Sequence, residues 1–238
     1  MASLHRSRRW ERFLPVWNRM DLSEFVFEDR ADAGVQLAEQ LAVKYGASDP
    51  LVLGVARGGV EVAYYVARRL RAELHPIVAK KLPYPGNPEY GFGAVAEDGS
   101  VYIAEERAQA LGRQSIEAIV ANQLDEIKRR IERYRNGKPL PPMDGRTVML
   151  VDDGIATGVT LVPLLDLCRK RGASRVIIAA PVSGTRFDKK LKTADNIEVL
   201  VQPRNFRAVG QAYRSFGDFS DDELIQLLAA SRRIHGMH

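Results

Sequence analysis

The chain is 238 residues long, 45% apolar and 27% charged, with a formal net charge of +5 and a single cysteine. That length suits one α/β domain with elaborations and a sizeable core, and the composition is that of an ordinary globular protein. One cysteine excludes a disulfide framework and no run approaches a membrane span, so a cytoplasmic protein without a membrane partner is expected.

Residues 1–26 read as a basic extension, with Arg6, Arg8, Arg9, Arg12 and Arg19 against one acid, Glu11, in the first twenty. It lacks the apolar core of a secretory signal. A transit peptide, a nucleic-acid arm and a solvated tail are alternatives. Trp10, Phe13, Leu14 and Trp17 recur at helical spacing, which favours a short helix docking on the body or on a second subunit, without nucleic acid as partner.

Arg30 to Tyr45 predicts a helix striped by Ala33, Leu37, Leu41 and Ala42 and stopped near Gly46. Leu51 to Val55 is a short apolar strand, followed by Arg-Gly-Gly, a helix over Val60 to Leu70 and a strand over His75 to Ala79. Lys80 to Gly93 is dense in Pro and Gly and reads as structureless, with residues 81–93 as a flexible lid loop. A rigid proline-rich connector is the alternative. Ala94–Glu97 and Ser100–Ala104 flank Asp98-Gly99 as a hairpin. Gly91 to Ala96 formally matches a dinucleotide fingerprint, but it leads into that hairpin and is discounted.

Gly112 to Tyr134 predicts a long helix, apolar along Ile116, Val120, Leu124, Ile127 and Ile131, with Asp125–Arg129 and Glu126–Arg130 pairs on its charged side. Strands at Val148–Val151, Arg175–Pro181 and Ile197–Val201 alternate with helices from Leu161 and over Gly184 to Lys192. A closing helix over Asp221 to Arg233 is capped by Ser220 or Asp221. This alternation predicts an α/β fold with a doubly wound, mostly parallel sheet.

The most informative stretch is 147–160, TVMLVDDGIATGVT. Four apolar residues suit a parallel strand buried on both faces, and Asp152 and Asp153 stand at its carboxyl end, where open α/β sheets bind ligands. Their carboxylates can accept hydrogen bonds from vicinal ribose hydroxyls. From Gly154 to Thr160 the loop is small and hydroxyl-rich before a helix start, a geometry whose backbone amides bind phosphate. A ribose 5-phosphate site follows, the plain alternative being a turn that caps the helix. Val55-Ala56-Arg57-Gly58-Gly59-Val60 is a second strand-to-helix loop, in which paired glycines allow close approach and Arg57 offers a charged fork. Alone, it reads equally as an ordinary turn.

Residues 147–160 resemble the PRPP-binding motif of the type I phosphoribosyltransferases. FEDRADAG (27–34), ARGGVEVA (56–63), KLPYPGNPEYGFGAVAEDG (81–99), LVDDGIATGVT (150–160) and FRAVGQAYRSFGDFSDDEL (206–224) extend the resemblance to a subfamily of bacterial and archaeal predicted phosphoribosyltransferases. It implies transfer of the 5-phosphoribosyl group of PRPP to a nitrogenous acceptor, a nucleobase foremost, with release of pyrophosphate. Mg²⁺ would ride on PRPP without dedicated protein ligands.

By resemblance Asp152 and Asp153 take the ribose hydroxyls, and Ala156, Thr157, Gly158, Val159 and Thr160 cradle the 5-phosphate. Arg57, Gly58 and Lys81 hold pyrophosphate, after a cis Ala56–Arg57 bond, with Lys80 and Tyr84 beside Lys81 in the lid. Arg57, Asp152 and Asp153 form the catalytic set. Phe206 belongs to a hood over the acceptor, core packing being its other reading. Ala156 stands where the best-known purine salvage members carry an acid, so proton handling falls to another group, to solvent or to the substrate.

The implied layout is a transferase domain over 27–220, with a helical insertion at 105–137, a small hood at 203–219 and a C-terminal helix at 221–238, in a homodimer or higher oligomer. A PRPP- or nucleotide-sensing regulator without turnover is the alternative function.

Overall fold

The computed structural model describes residues 26–234, so the expected Trp10–Trp17 helix lies outside the described residues. Asp29 starts the first helix, α1 (Arg30–Tyr45), by accepting a hydrogen bond from the Asp32 amide at 2.8 Å, and Gly46 ends it. Strand β1 (Leu51–Val55) leads into α2 (Gly58–Leu70) and returns through β2 (Leu74–Ile77), parallel to β1.

The chain then leaves the sheet. β3 (Ala79–Tyr84), β4 (Asn87–Ala96) and β5 (Val101–Ile103) form a separate antiparallel sheet, followed by a short α3 (Glu105–Ala108) and the long α4 (Arg113–Arg135). β6 (Thr147–Val151), α5 (Leu161–Lys170), β7 (Arg175–Val182) and β8 (Asn196–Val201) complete a five-stranded parallel sheet in the order β2-β1-β6-β7-β8. The last helix, α6 (Asp221–Ile234), is capped reciprocally: Ser220 Oγ accepts from the Glu223 amide, and the Glu223 carboxylate accepts from the Ser220 amide.

The apolar strands alternate between two cores. Val52, Met149, Val151 and Ile177 pack with α1, α2, Ile127 of α4 and Leu224 of α6, while Leu53, Leu150 and Ile178 pack with α5. Coverage on both faces is why these strands read as continuous apolar runs. Order reverses between β1 and β6, and the crevice at their carboxyl ends is where such sheets bind ligands. No helix among the described residues is long and apolar enough to cross a membrane.

Three expectations are corrected by the structure. Residues 81–93 are not a structureless loop: they fall mostly within the β3–β4 ribbon, whose turn sits at Gly86. Pro83 lies at register shifts, which tolerate its missing amide, and Gly93 is a glycine because a Cβ there would sit 2.2 Å from the Tyr102 carbonyl of β5. Residues 184–192 are not a full helix: an extended approach precedes a 3-10 turn, Lys189–Thr193, held by the Asp188 carboxylate on the Lys190 amide. On α4, Arg130 pairs with Glu126 as expected, but Arg129 also turns to Glu126 and Asp125 takes Lys128.

Candidate functional site

Asp152 and Asp153 emerge at the end of β6, and the glycine pair at the start of α2 lies directly against them. A Cβ on Gly58 would stand 2.1 Å from Asp153 Oδ2, and one on Gly59 would stand 2.7 Å from the Val151 carbonyl. Absence of side chains here lets two strand-to-helix loops touch across the switch point. Ala56–Arg57 is cis, as the resemblance implies.

Asp153 is clamped. Arg30 Nε donates to its Oδ2 at 2.8 Å, in a pair whose side chains are only 10% and 16% exposed. The guanidinium also donates to the Gly217 carbonyl at 2.9 Å and lies 4.0 Å from the Phe216 ring centroid. Tyr213 OH donates to the Asp153 carbonyl oxygen at 2.5 Å. The position of Arg30 follows from pairing of the chain near Phe27 with residues near Tyr213: Arg214 N donates to the Phe27 carbonyl and Ser215 N to that of Glu28. Arg30, Tyr213 and Phe216 were not singled out in the sequence, although the motifs 27–34 and 206–224 contain them.

Among the described residues, no cation pairs with Asp152. Its Oδ1 accepts one backbone bond, from the Asp153 amide at 2.9 Å. Burial pushes its carboxyl well above the ordinary carboxylate range, and the neighbouring Asp153 charge adds to the rise. Burial also raises Asp153, with Arg30 pulling the other way. A buried diacid with one cation among the described residues and spare lone pairs can accept ligand hydroxyls or hold a cation.

The 156–160 loop follows. Among the described residues, no backbone amide from Ala156 to Thr160 donates to a protein acceptor. Gly158 has φ +72, in the left-handed region, and a Cβ would strike Leu191 Cδ1 at 2.4 Å. The Asp188 amide donates to the Thr157 carbonyl at 2.9 Å, pinning the loop from behind. Thr157 is exposed, and Thr160 is the residue before α5 but makes no side-chain cap. Unclaimed amides running into a helix start suit a phosphate group.

Arg57 sits at the end of β1, its Nη2 3.2 Å from Asp218 and its Nη1 3.9 Å from Asp221. Lys80 and Lys81 alternate along β3: Lys81 is exposed with its stem over Gly91, so Lys80 rather than Lys81 is directed inward. Phe206 is half-buried against the cluster that contains Phe27, Val182 and Val201, yet its Cδ1 is 3.4 Å from a Cβ placed on Gly184, itself 3.4 Å from the Ala156 carbonyl oxygen. Packing and proximity to the 156–160 loop therefore coexist. Cys168 is buried and unpaired on α5, and His75 bonds Glu73; both lie apart from the diacid.

The family profile described as "Phosphoribosyl transferase domain" matches residues 28–211. Two Mycobacterium tuberculosis proteins, one in strain H37Rv and one in strain CDC 1551, carry phosphoribosyl transferase as a provisional name. Each is 41% identical over 211 residues, which cover 87% of this chain and 47% of the relative. The chain thus spans about half the length of the curated relatives it matches. The crystal structure of TT1426 from Thermus thermophilus is similar at 39% identity and a TM-score of 0.72, covering 86% of this chain and 98% of that one.

Proposed function

Because the chain belongs to the phosphoribosyl transferase family, we propose that it transfers the 5-phosphoribosyl group of PRPP to a nitrogenous acceptor, a nucleobase, releasing pyrophosphate in a Mg²⁺-dependent reaction. One observation carries this reading: unclaimed amides of Ala156–Thr160 adjoin the Asp152–Asp153 diacid at the sheet's switch point. Together they offer a phosphate cradle and acceptors for the ribose hydroxyls at adjacent places.

In this scheme Asp152 and Asp153 fix the ribose, the 156–160 loop anchors the 5-phosphate, and Arg57 holds pyrophosphate against the end of β1. Anchoring both ends leaves C1 open to a ring nitrogen, and most of the rate gain comes from alignment of the two reactants. The bond to pyrophosphate breaks ahead of attack, giving an oxocarbenium-like transition state whose departing charge Arg57 stabilises. Mg²⁺ carried on PRPP, without dedicated protein ligands, would neutralise charge on the leaving group. Phe206 stacks on the acceptor from the 203–219 hood, within a 27–220 transferase domain that works as a cytoplasmic homo-oligomer.

Pyrophosphate release from PRPP and Mg²⁺ across purine, pyrimidine and other ring-nitrogen acceptors tests the reading. Acceptor-dependent release supports it. PRPP binding without release for any acceptor would replace catalysis with ligand sensing.

A further inference from the structure

Arg57 is one member of a larger charged assembly that ties its loop to α4. Asp221, at the start of α6, faces Arg57 Nη1 at 3.9 Å, accepts from Tyr134 OH at 2.6 Å and from Arg133 Nη1 at 2.7 Å. Tyr134 and Arg133 both belong to α4, so the last turns of that helix border the Arg57 loop. Arg130 lies four residues before Tyr134 and therefore shares its face. The Tyr134 hydroxyl is pushed up to about 12 by burial and by Asp221, while the nearby charges of Arg130 and Arg57 pull it down. Both guanidinium groups thus lie within electrostatic reach of one phenol.

Lys80 enters from the other side. It shares a face of β3 with Leu82, which is buried in the core containing Ile127 and Tyr134, so the Lys80 stem is directed toward α4. Its ammonium is half-buried, and among the described residues it has no hydrogen-bond or ion-pair partner. Burial lowers its pKa first, and the charges of Arg130 and Arg57 lower it further. The Glu126 carboxylate opposes them. That carboxylate is already engaged, by Arg129 Nη2 at 2.9 Å and by Arg130 Nε at 3.2 Å. Arg130 is 22% exposed, and its Nε pairs with Glu126.

An unpaired, partly desolvated ammonium on the face of β3 that meets α4, within electrostatic reach of two guanidinium groups, is unfavourable unless an anion balances it. A multiply charged anion suits it best, because two or three cations then share it. We propose that Lys80 of β3 and Arg130 of α4 bind the pyrophosphate group together with Arg57, which makes α4 part of the substrate site. This rests on the transferase reading above, and it moves the lysine contact from Lys81 to Lys80. Asp218 and Asp221 then act as internal anions that hold Arg57 until pyrophosphate displaces them.

Calorimetry with magnesium pyrophosphate and, separately, ribose 5-phosphate tests the proposal on wild type, Lys80→Met, Arg130→Met and Arg130→Lys. Each methionine variant should weaken pyrophosphate about tenfold or more, the loss of one charge-assisted bond, while ribose 5-phosphate affinity stays within about twofold. Arg130→Lys should recover part of the loss. Melting temperatures measured alongside identify any variant with a damaged fold, and Arg130→Lys keeps the test usable if Arg130→Met unfolds. Unchanged pyrophosphate affinity in the methionine variants, or equal losses for both ligands, overturns the proposal. Wild type that binds neither ligand overturns the transferase reading itself.

Discussion

Replacing Arg30 with methionine should strand Asp153 as a buried carboxylate without its cation. The lost contacts are the 2.8 Å pair with Asp153, the 2.9 Å bond to the Gly217 carbonyl and the 4.0 Å approach to Phe216. Removing one partner of a buried ion pair costs about 3–5 kcal/mol. The remaining exposure, 10% and 16%, places this pair toward the lower end, and the carboxylate recovers part of the loss by taking up a proton. A loss of about 3 kcal/mol is a large share of the roughly 5–15 kcal/mol that holds a domain together.

The double variant Arg30→Met with Asp153→Asn removes the stranded charge and should regain at least about 1 kcal/mol. Urea denaturation followed by circular dichroism measures both. A single-variant loss under about 1 kcal/mol, or a double variant no better than the single, would refute the clamp.

The sign of the pH dependence follows from the same pair. Burial raises both Asp152 and Asp153 above their ordinary value of 3.8, so the unliganded fold binds these protons more tightly than the unfolded chain does. Their contribution to stability is present below that value and is lost as pH rises through the raised folded values. Arg30→Met should steepen this loss, because Arg30 is what draws Asp153 downward.

Three further substitutions test the loops around the site. Gly58→Ala places a methyl 2.1 Å from Asp153 Oδ2, so it should displace the Arg30–Asp153 pair and cost about 1–3 kcal/mol in the same denaturation assay; wild-type stability would show that the loops are not in contact. Gly158→Ala forces a side chain into φ +72 and against Leu191; with about 1–2 kcal/mol of backbone strain it should weaken binding of any 5-phosphate, measured calorimetrically with ribose 5-phosphate. Arg57→Ala should weaken PRPP by about one to two decades and a nucleoside monophosphate hardly at all; uniform losses with a lowered melting temperature would make Arg57 a structural partner of Asp218 and Asp221.

What was legible in the sequence was local. The β6 strand, the diacid and the 156–160 loop are contiguous, and each uses a residue type whose role follows from its own backbone position. The helix α1 showed through its stripe and its Gly46 stop, because its buried face repeats every three to four residues. The Arg30 clamp was illegible: its partner lies 123 residues away, and nothing in the helical period of α1 distinguishes a buried arginine from an exposed one.

The β3–β4 ribbon is hidden in the sequence for a related reason. Its prolines and glycines look like loop chemistry, but Pro83 is accommodated at a register shift and Gly93 is dictated by a carbonyl on the neighbouring strand. The choice between Lys80 and Lys81 likewise depends on which face of that strand meets α4, a tertiary fact.

Binding of PRPP through Asp152 and Asp153 is the central claim. Thermal unfolding of wild type and of the Asp152→Asn, Asp153→Asn double variant, each with and without saturating Mg²⁺-PRPP, measures this by mass action. At about 100 times Kd the ligand should stabilise wild type by about 2.7 kcal/mol, several degrees in melting temperature, while the double variant stays folded and shows no shift. Equal shifts in the two proteins would contradict the assignment.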